Sequence, residues 1–244
     1  MVRLEAPAHL DRTRQARLGQ ADQVGRTPRF RSTQRTRRRV VVIGEVEKPV
    51  VIGVLGTHST GKSTFLARLA HDLRRRHIQV ATVADLGEQA QRIGLPILHN
   101  HTWASTLWFA TRGISYELEA WRHGDVVLVD RPVPDALGYY RAALEYRGEQ
   151  PEPTTLAYLE SLVRGHSVHY DLLFCTTLDT SIPLGDNKER DDDGEFRVLA
   201  DRFVGRVLDD LDLTHELLPA DGHDRALFRA IDFVTASLAG EAAV

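Results

Sequence analysis

The segment from Gly56 to Ser63 carries the residues best suited to chemistry. It reads GTHSTGKS and matches the phosphate-binding pattern G-x-x-x-x-G-K-[ST], the Walker A motif, at every fixed position. Two glycines allow the backbone to curl so that successive N–H groups point at an anion. The lysine and the hydroxyl at the end of the segment can contact the outer phosphates and Mg²⁺. The segment therefore predicts a site for a nucleoside triphosphate.

Residue type gives each position of this loop an expected role. We expect Lys62 to reach the β- and γ-phosphates and the Ser63 hydroxyl to bind Mg²⁺, with a second hydroxyl close by on Thr64. The predicted ATP-binding residues are Gly56, Thr57, His58, Ser59, Thr60, Gly61, Lys62, Ser63 and Thr64.

The elements on either side of the loop fit this prediction. The apolar run Val50 to Leu55 before the loop predicts a strand, and Phe65, Leu69 and Leu73 recur at helical spacing after it. This order of strand, loop and helix is the context that the motif requires. The alternative, a tight turn with an ordinary surface lysine, is not favoured.

Predicted strands and helices alternate along the rest of the chain, which is typical of a parallel sheet covered by helices on both faces. The predicted strands after the loop are 79–83, 125–130, 171–175 and 217–219, and residues 40–44 could form a short extra strand. The predicted helices after the first are 102–123, 133–147, 154–164, 195–211 and 224–238. We therefore predict an α/β fold of the P-loop NTPase type with three layers, αβα.

A second informative segment, VVLVDRPVPD, spans residues 126–135. Its apolar strand ends in an acid, as in the second acidic motif of P-loop NTPases, so Asp130 is predicted to bind Mg²⁺ together with Ser63. In kinases of small molecules such an acid can also take the proton of the attacking hydroxyl, and an adjacent arginine such as Arg131 can grip the acceptor. The alternatives are a capping role for the acid and an ordinary ion pair for the arginine.

Polar residues follow the second predicted strand, where ligands of open α/β sheets usually bind. Asp85 and Glu88 lie there and, together with Arg131, are the predicted acceptor-binding residues. His99 and His101 could bind a metal ion. No third ligand with suitable spacing is visible, so a loop or substrate-contact role is favoured for this pair.

A charged segment, 186–197, is a candidate lid over the γ-phosphate. Phosphoryl transfer needs cations that close over the transferring group, and Lys188, Arg190 and Arg197 are the cations of this segment. The alternative is a solvated acidic turn around its three consecutive aspartates.

The charge of the chain is unevenly distributed. The net charge is −3, but residues 1–40 hold eleven arginines and three acids, which gives +8 there and −11 for the remainder. For residues 1–39 we favour a disordered, solvated tail because they have almost no apolar periodicity. The alternatives are an Arg-rich arm that contacts nucleic acid, or a segment that partly precedes the true translation start. Residues 40–244 are predicted to form the nucleotide-binding domain.

Composition argues against two classes of protein. No apolar run approaches the roughly 18 residues of a membrane span, and no secretory signal is visible, so we expect a cytoplasmic protein without a membrane partner. Cys175 is the single cysteine, which excludes a disulfide within the chain. The sequence does not indicate an oligomeric state.

Three segments together resemble a known family. They are GTHSTGKST, VVLVDRPVPDALGYY, and YDLLFCTTLD with the charged stretch and amphipathic helix after it. They resemble the small P-loop ATPases related to nicotinamide riboside kinase, over a region from about residue 50 to the C-terminus. The resemblance implies a nucleoside/nucleotide-kinase-like fold with a five-stranded parallel sheet, ATP and Mg²⁺ at the phosphate loop, and lid contacts around Arg190 and Arg197.

The chain also departs from this family in two places. Relatives tend to show a compact DG-x-R in the lid, whereas the spacing from Gly194 to Arg197 is longer here. The acid after the second strand that often marks the acceptor side could be Asp85 or Glu88. Both departures concern the acceptor, whose identity the sequence therefore leaves open.

The resulting hypothesis is an ATP- and Mg²⁺-dependent kinase. It would transfer the γ-phosphate to a small acceptor that bears a hydroxyl or a phosphate, nucleoside-like by resemblance. The residues assigned to catalysis are Lys62, Asp130, Arg131, Arg190 and Arg197. The alternative is a regulatory P-loop ATPase whose nucleotide state controls binding of a partner or nucleic acid through the Arg-rich tail.

Overall fold

The computed structural model describes residues 42–43, 46–181 and 193–240. The predicted tail 1–39 and the segment 182–192, which includes Lys188 and Arg190, lie outside the described residues. In chain order the elements are β1 (Val42–Ile43), β2 (Val46–Glu47), β3 (Val50–Leu55), α1 (Lys62–Arg75), β4 (Val80–Val83), α2 (Gly87–Arg92), α3 (Trp103–Ala120), β5 (Val126–Asp130), α4 (Pro134–Arg147), α5 (Pro153–Ser167), β6 (Leu172–Thr176), α6 (Gly194–Asp210), β7 (Glu216–Leu218) and α7 (His223–Gly240). Two short 3₁₀ turns lie at Leu98–Asn100 and Ala220–Gly222.

Strands β3 to β7 form a five-stranded sheet in the order β4-β5-β3-β6-β7, and every neighbouring pair is parallel. The central strand β3 places its Val54 beside Asp130 of β5 and Phe174 of β6. Because all five strands run the same way, their carboxyl ends meet at one edge of the sheet. The prediction of a three-layer α/β fold with a five-stranded parallel sheet is confirmed.

Successive residues of the strands pack into opposite layers. Ile52 and Leu128 lie in one apolar cluster with Phe65 of α1, which α7 also joins. Leu55 lies in another cluster on the far side, with Phe196 of α6 and residues of α4. A further cluster joins α3, α4 and α5. Burial of both faces explains why the strands read as continuous apolar runs.

Local chemistry sets the helix ends near the carboxyl edge of the sheet. The Thr102 side chain accepts a hydrogen bond from Ser105 N at the start of α3, and the Asp193 side chain accepts one from Phe196 N at the start of α6. Each bond satisfies an N–H group that the first turn of a helix leaves unpaired. Pro134 opens α4, where its fixed φ suits the helix.

Most predicted elements are confirmed to within a few residues. A strand also forms inside 40–44, and it pairs antiparallel with β2. The short helix α2 and the turn at Leu98–Asn100 were not predicted, because their polar sequences show no apolar period. None of the helices in the described part of the chain is both long and apolar enough to cross a membrane.

Helices α4 and α6 approach closely at Gly138. A Cβ atom built there would lie 2.8 Å from Val204 Cα and 2.6 Å from Val204 Cγ2. Because the backbone of α6 would have to shift, we expect Gly138→Ala to lower the free energy of unfolding by about 1–3 kcal/mol. Gly205→Ala is the control: a Cβ there meets nothing within 4 Å, so alanine should raise that free energy by about 0.5–1 kcal/mol. Urea denaturation measures both, and equal effects would contradict the close contact.

Candidate active site

The loop between β3 and α1 has the backbone of an anion site. Gly56, Ser59 and Gly61 have φ values of 127°, 58° and 86°, in the left-handed region that turns successive N–H groups to the same side. Gly61 precedes α1 and offers no side chain to cap it, so the first N–H groups of α1 keep their capacity to bind an anion. The loop is therefore shaped to hold phosphate.

The end of β6 and the start of α7 pack against the two glycines of the loop. A Cβ atom on Gly56 would lie 2.1 Å from Thr176 Oγ1, and one on Gly61 would lie 2.8 Å from His223 Cε1. The Thr176 hydroxyl also shares a hydrogen bond of 2.7 Å with the Thr60 hydroxyl. These contacts explain why both positions are glycine and how the loop keeps its shape.

Lys62 is buried, with 4 % of its surface exposed, and its ammonium group donates a hydrogen bond to the Thr57 carbonyl within the loop. Burial, and then the positive charge of Arg131, lower the pKa of Lys62 to about 7, although nearby carboxylates act in the opposite direction. A bound polyphosphate would supply the negative charge that this buried ammonium lacks. The structure thus places Lys62 against the loop it was predicted to serve.

Ser63 and Asp130 lie together where β5 ends and α1 begins. Ser63 Oγ donates to Asp130 Oδ2 at 2.5 Å. Asp130 Oδ1 is buried and has no hydrogen-bond partner among the residues described. A hydroxyl and a carboxylate oxygen are ligands that Mg²⁺ prefers, so this pair fits the cation. Thr64, the next residue of α1, is exposed.

Arg131 is fixed by two carboxylates. Its Nε donates to Asp85 Oδ2 at 2.9 Å and its Nη1 to Asp135 Oδ2 at 2.5 Å, and the guanidinium lies 5.0 Å from the centre of the Tyr139 ring. Burial alone would lower the pKa of Arg131, but Tyr139 and the carboxylates outweigh it and raise the pKa well above its ordinary value. Its φ of 65° is rare outside glycine, and such strained residues cluster at functional sites.

Asp135 is a site residue that sequence reasoning missed. It is 3 % exposed, and its Oδ1 accepts a hydrogen bond of 2.9 Å from the Gly56 amide while its Oδ2 accepts from Arg131. An acid in the first turn of a helix is common because it suits the helix dipole, which conceals this role. The spacing of four from Arg131 is the one signal in the sequence that could have suggested the ion pair.

A cavity opens beside the phosphate loop. The three predicted acceptor-binding residues, Asp85, Glu88 and Arg131, all line it, and His58 of the loop does so as well. Asp130 is not among the lining residues. The structure therefore brings the predicted acceptor residues together and directs Asp130 towards Ser63 instead.

Besides His58, three aromatic or imidazole side chains line the cavity: His101, Phe109 and Tyr139. The Tyr139 hydroxyl lies 3.3 Å from His58 Nδ1, which connects the rings to the phosphate loop. Sequence reasoning did not select Phe109 or Tyr139, because single aromatic residues in an apolar helix read as core. The cavity thus has the charged side chain of Arg131 at the carboxyl edge of the sheet and the rings of His101, Phe109 and Tyr139 among its other lining residues.

The described part of the chain includes only the end of the candidate lid. Arg190 lies outside the described residues, but Arg197 is the fourth residue of α6 and only 8 % exposed. Asp193 caps the helix that includes Arg197, so this arginine is held on α6, and its contact with the transferring phosphoryl group stays a prediction. Its Nε has no hydrogen-bond partner within the described ranges. Its charge and that of Lys62 both act on the carboxyl of Asp201, whose pKa burial raises.

A phosphate loop on the central strand of a five-stranded parallel sheet, with an acid ending the adjacent strand, defines a P-loop NTPase fold of the nucleoside and nucleotide kinase type. The model of a family described as an AAA domain matches residues 51–225, and the chain belongs to that family. A search of curated protein sequences gives no match.

Solved structures with the same fold include three that cover most of this chain. The NadR protein in complex with NAD and AMP-PNP has a TM-score of 0.56 at 15 % identity, over 78 % of this chain and 50 % of that chain. Thymidylate kinase from Candida albicans has a TM-score of 0.55 at 15 % identity, over 78 % and 92 %. Deoxyadenosine kinase from M. mycoides with bound dATP has a TM-score of 0.54 at 12 % identity, over 75 % and 99 %.

The chain spans about half the length of the NadR structure that it matches, so the likeness concerns one part of that protein. At these identities the likeness to all three proteins shows the fold. The resemblance to small P-loop ATPases related to nicotinamide riboside kinase is thereby confirmed at the level of family and fold.

The His101 imidazole predicts a specific acid sensitivity. Burial, and then the charges of Arg147 and Arg131, lower its pKa to about 3. An unfolded histidine has a pKa of about 6.5, so between these values the unfolded state binds one more proton and stability rises with pH. We expect about 2 kcal/mol of the free energy of unfolding to be lost for this reason between pH 7 and pH 5.

The variant His101→Phe should lack this loss, because phenylalanine takes up no proton. Urea denaturation of both proteins at pH 7 and pH 5 measures the difference. The same pH dependence in the two proteins would show that His101 is not held neutral.

Proposed function

We propose that the protein is a kinase that transfers the γ-phosphate of ATP to a hydroxyl group of a small, nucleoside-like acceptor. The observation that carries this proposal is the contact between two sites: the cavity lined by Asp85 and Arg131 reaches His58 of the phosphate loop itself. A nucleotide on the loop and an acceptor in the cavity would lie side by side, as phosphoryl transfer requires.

The loop side would bind ATP and Mg²⁺. Lys62 and the N–H groups of the loop would stabilise the charge on the transferring phosphoryl group. Ser63 and Asp130 would hold Mg²⁺, in keeping with the short contact between them and the partnerless Asp130 Oδ1 among the described residues. Bound there, the cation would neutralise charge on the outer phosphates.

Asp85 is the candidate general base for the acceptor hydroxyl. It lines the cavity, and the hydrogen bond from Arg131 Nε fixes its orientation. Asp130 instead accepts from Ser63 and does not line the cavity, so we assign proton abstraction to Asp85. Glu88 lines the same cavity but is exposed, which makes it the weaker candidate.

Charge favours an acceptor without a phosphate. Arg131 is the one lysine or arginine among the described residues that line the cavity, and two carboxylates already neutralise it. A phosphate there would meet the three carboxylates of Asp85, Glu88 and Asp135. Repulsion between like charges strengthens in a partly dry site. We therefore propose that the acceptor is an unphosphorylated small molecule that bears a hydroxyl group. We also propose that the protein acts in the cytoplasm.

The alternative, a regulatory ATPase that binds nucleic acid or a protein partner, depends on the Arg-rich residues 1–39. These lie outside the described residues, and no contact within the described ranges favours this function over the kinase. We therefore keep it as an outcome of the experiment and not as a second proposal.

Release of ADP from ATP and Mg²⁺ tests the proposal directly, with a panel of nucleosides, nucleoside monophosphates and sugars as acceptors. We expect one unphosphorylated acceptor to raise turnover well above background and to appear as a monophosphate by mass spectrometry. Hydrolysis that no acceptor changes, but that RNA or DNA stimulates, would favour the regulatory ATPase.

Lys62→Ala should reduce acceptor-dependent turnover by about 10²–10³-fold, because it removes a preorganised cation at the transferring group. Lys48→Ala is the matched control, since Lys48 pairs with Asp171 at the opposite edge of the sheet. It should retain full activity. Circular dichroism and urea denaturation check that both variants fold, and an active Lys62→Ala protein would refute the assignment.

The two acids of the acceptor side can be separated by amide variants. Asp85→Asn should reduce acceptor-dependent turnover by about 10²–10⁴-fold, the usual range for a general base, and leave slow acceptor-independent hydrolysis of ATP intact. Glu88→Gln should change turnover by less than about tenfold, because Glu88 is exposed. A larger loss of turnover in Glu88→Gln than in Asp85→Asn would indicate that Glu88, and not Asp85, is the general base.

A further inference from the structure

His101, one of the residues that line the cavity, has no role in the phosphoryl transfer proposed above. His101 is 3 % exposed and lines the cavity, and its Nε2 is buried without a hydrogen-bond partner in the described part of the chain. Buried polar atoms are almost always paired, so an unpaired one needs an explanation. A ligand in the cavity would supply the missing partner.

Neighbouring groups hold this imidazole in place. It stacks on the Phe109 ring, with centroids 5.5 Å apart and an interplanar angle of 26°, and lies 6.4 Å from the Tyr139 ring. Arg147 Nη1 donates to the carbonyl oxygens of His99 at 2.5 Å and His101 at 3.2 Å. The ring is therefore positioned before any ligand binds, which lowers the entropy cost of using it.

The charge state of the ring limits what it can recognise. Burial and the positive charges of Arg147 and Arg131 lower the pKa of His101 far below physiological pH, so the imidazole is neutral. A neutral imidazole offers one N–H donor and one nitrogen acceptor. It suits a carbonyl oxygen or ring nitrogen of a heterocycle, and the stacked Phe109 ring offers an apolar face beside it.

We propose that His101 is a specificity-determining residue for the acceptor: its Nε2 forms a hydrogen bond with the polar edge of a nitrogen heterocycle whose ring packs in the cavity beside Phe109. The inference rests on the proposed function, because it assigns the cavity to the acceptor. It assigns recognition of the heterocyclic ring of that nucleoside-like acceptor to a particular residue. Simple sugars and polyols are excluded as preferred acceptors.

Binding measurements test this without any need for turnover. The probes are uridine, cytidine, adenosine, inosine, nicotinamide riboside and D-ribose, each titrated calorimetrically into the full chain with AMP-PNP and Mg²⁺ present. We expect at least one nucleoside to bind more than tenfold tighter than D-ribose. His101→Phe should weaken that nucleoside by about tenfold, with the Kd of AMP-PNP and that of D-ribose unchanged.

Two further variants show whether the effect belongs to the Nε2 position. His101→Gln can place an amide there and should retain more nucleoside affinity than His101→Phe, whereas equal losses would reduce His101 to packing and overturn the proposal. His99→Phe is the matched control from the same turn. His99 does not line the cavity and packs against Tyr146 and Phe196, so nucleoside binding should be unchanged.

Several outcomes would overturn the proposal. In one, no nucleoside binds more tightly than D-ribose. In another, His101→Phe binds the nucleosides with the same Kd as the wild type. Should His101→Phe fail to fold, Phe109→Leu takes its place, since it removes the ring stacked on His101. Phe109→Leu should weaken the binding of nucleosides but not the binding of D-ribose.

The failure of this inference can be told apart from a failure of the proposed function. If the wild type and His101→Phe phosphorylate an acceptor equally well and with the same KM, the kinase proposal is supported and the proposed role of His101 is refuted. If a nucleoside binds through His101 but does not stimulate release of ADP from ATP, the proposed subsite is supported and the kinase proposal is refuted.

Discussion

The site depends on one buried carboxylate, that of Asp135. It divides its two oxygens between the Gly56 amide, which opens the phosphate loop, and the Arg131 guanidinium, which follows β5. Removing a carboxylate from water is costly unless both oxygens find donors, so the two bonds stabilise each other's geometry. Arg131 in turn reaches Asp85 beyond the end of β4. The loop, β5 and β4 are thereby fixed relative to one another, and with them the distance from the phosphate loop to the cavity.

This network exists because of the register of the sheet. β5 lies between β4 and β3, with Val129 beside Val83 on one side and Asp130 beside Val54 on the other. Neighbouring strands are only about 4.8 Å apart, so residues that follow their ends fall within reach of one another. The Arg131 amide continues the ladder by donating to Val54 O at 3.1 Å. The apolar core beneath therefore sets the positions of charged groups that do not touch it.

Sequence reasoning could find what depends on local pattern. The apolar runs and the phosphate-loop pattern predicted the strands and the loop that the structure shows, with Lys62 after the loop and Asp130 at the end of β5. It could not identify the contact between Asp135 and the Gly56 amide, which arises only when β5 aligns with β3. Nor could it separate His99 from His101: two positions apart in a turn, one packs against Tyr146 and the other lines the cavity. Contacts between distant segments leave no mark in the spacing of a single sequence.

The two cations of the site share the same neighbouring carboxylates but differ in direct pairing, and this difference supports the proposed placement of the ligands. Lys62 donates to a neutral carbonyl, and burial, followed by the charge of Arg131, lowers its pKa although the carboxylates of Asp135, Asp130 and Asp85 act in the opposite direction. Arg131 is paired directly with two carboxylates, and burial, which alone would lower its pKa, is outweighed by Tyr139 and the carboxylates, so that the pKa is raised. An anionic ligand therefore gains most at the loop and least in the cavity. The proposed placement, a polyphosphate on the loop and a neutral, hydroxyl-bearing acceptor in the cavity, would suit both environments at once, whereas the reverse placement would suit neither.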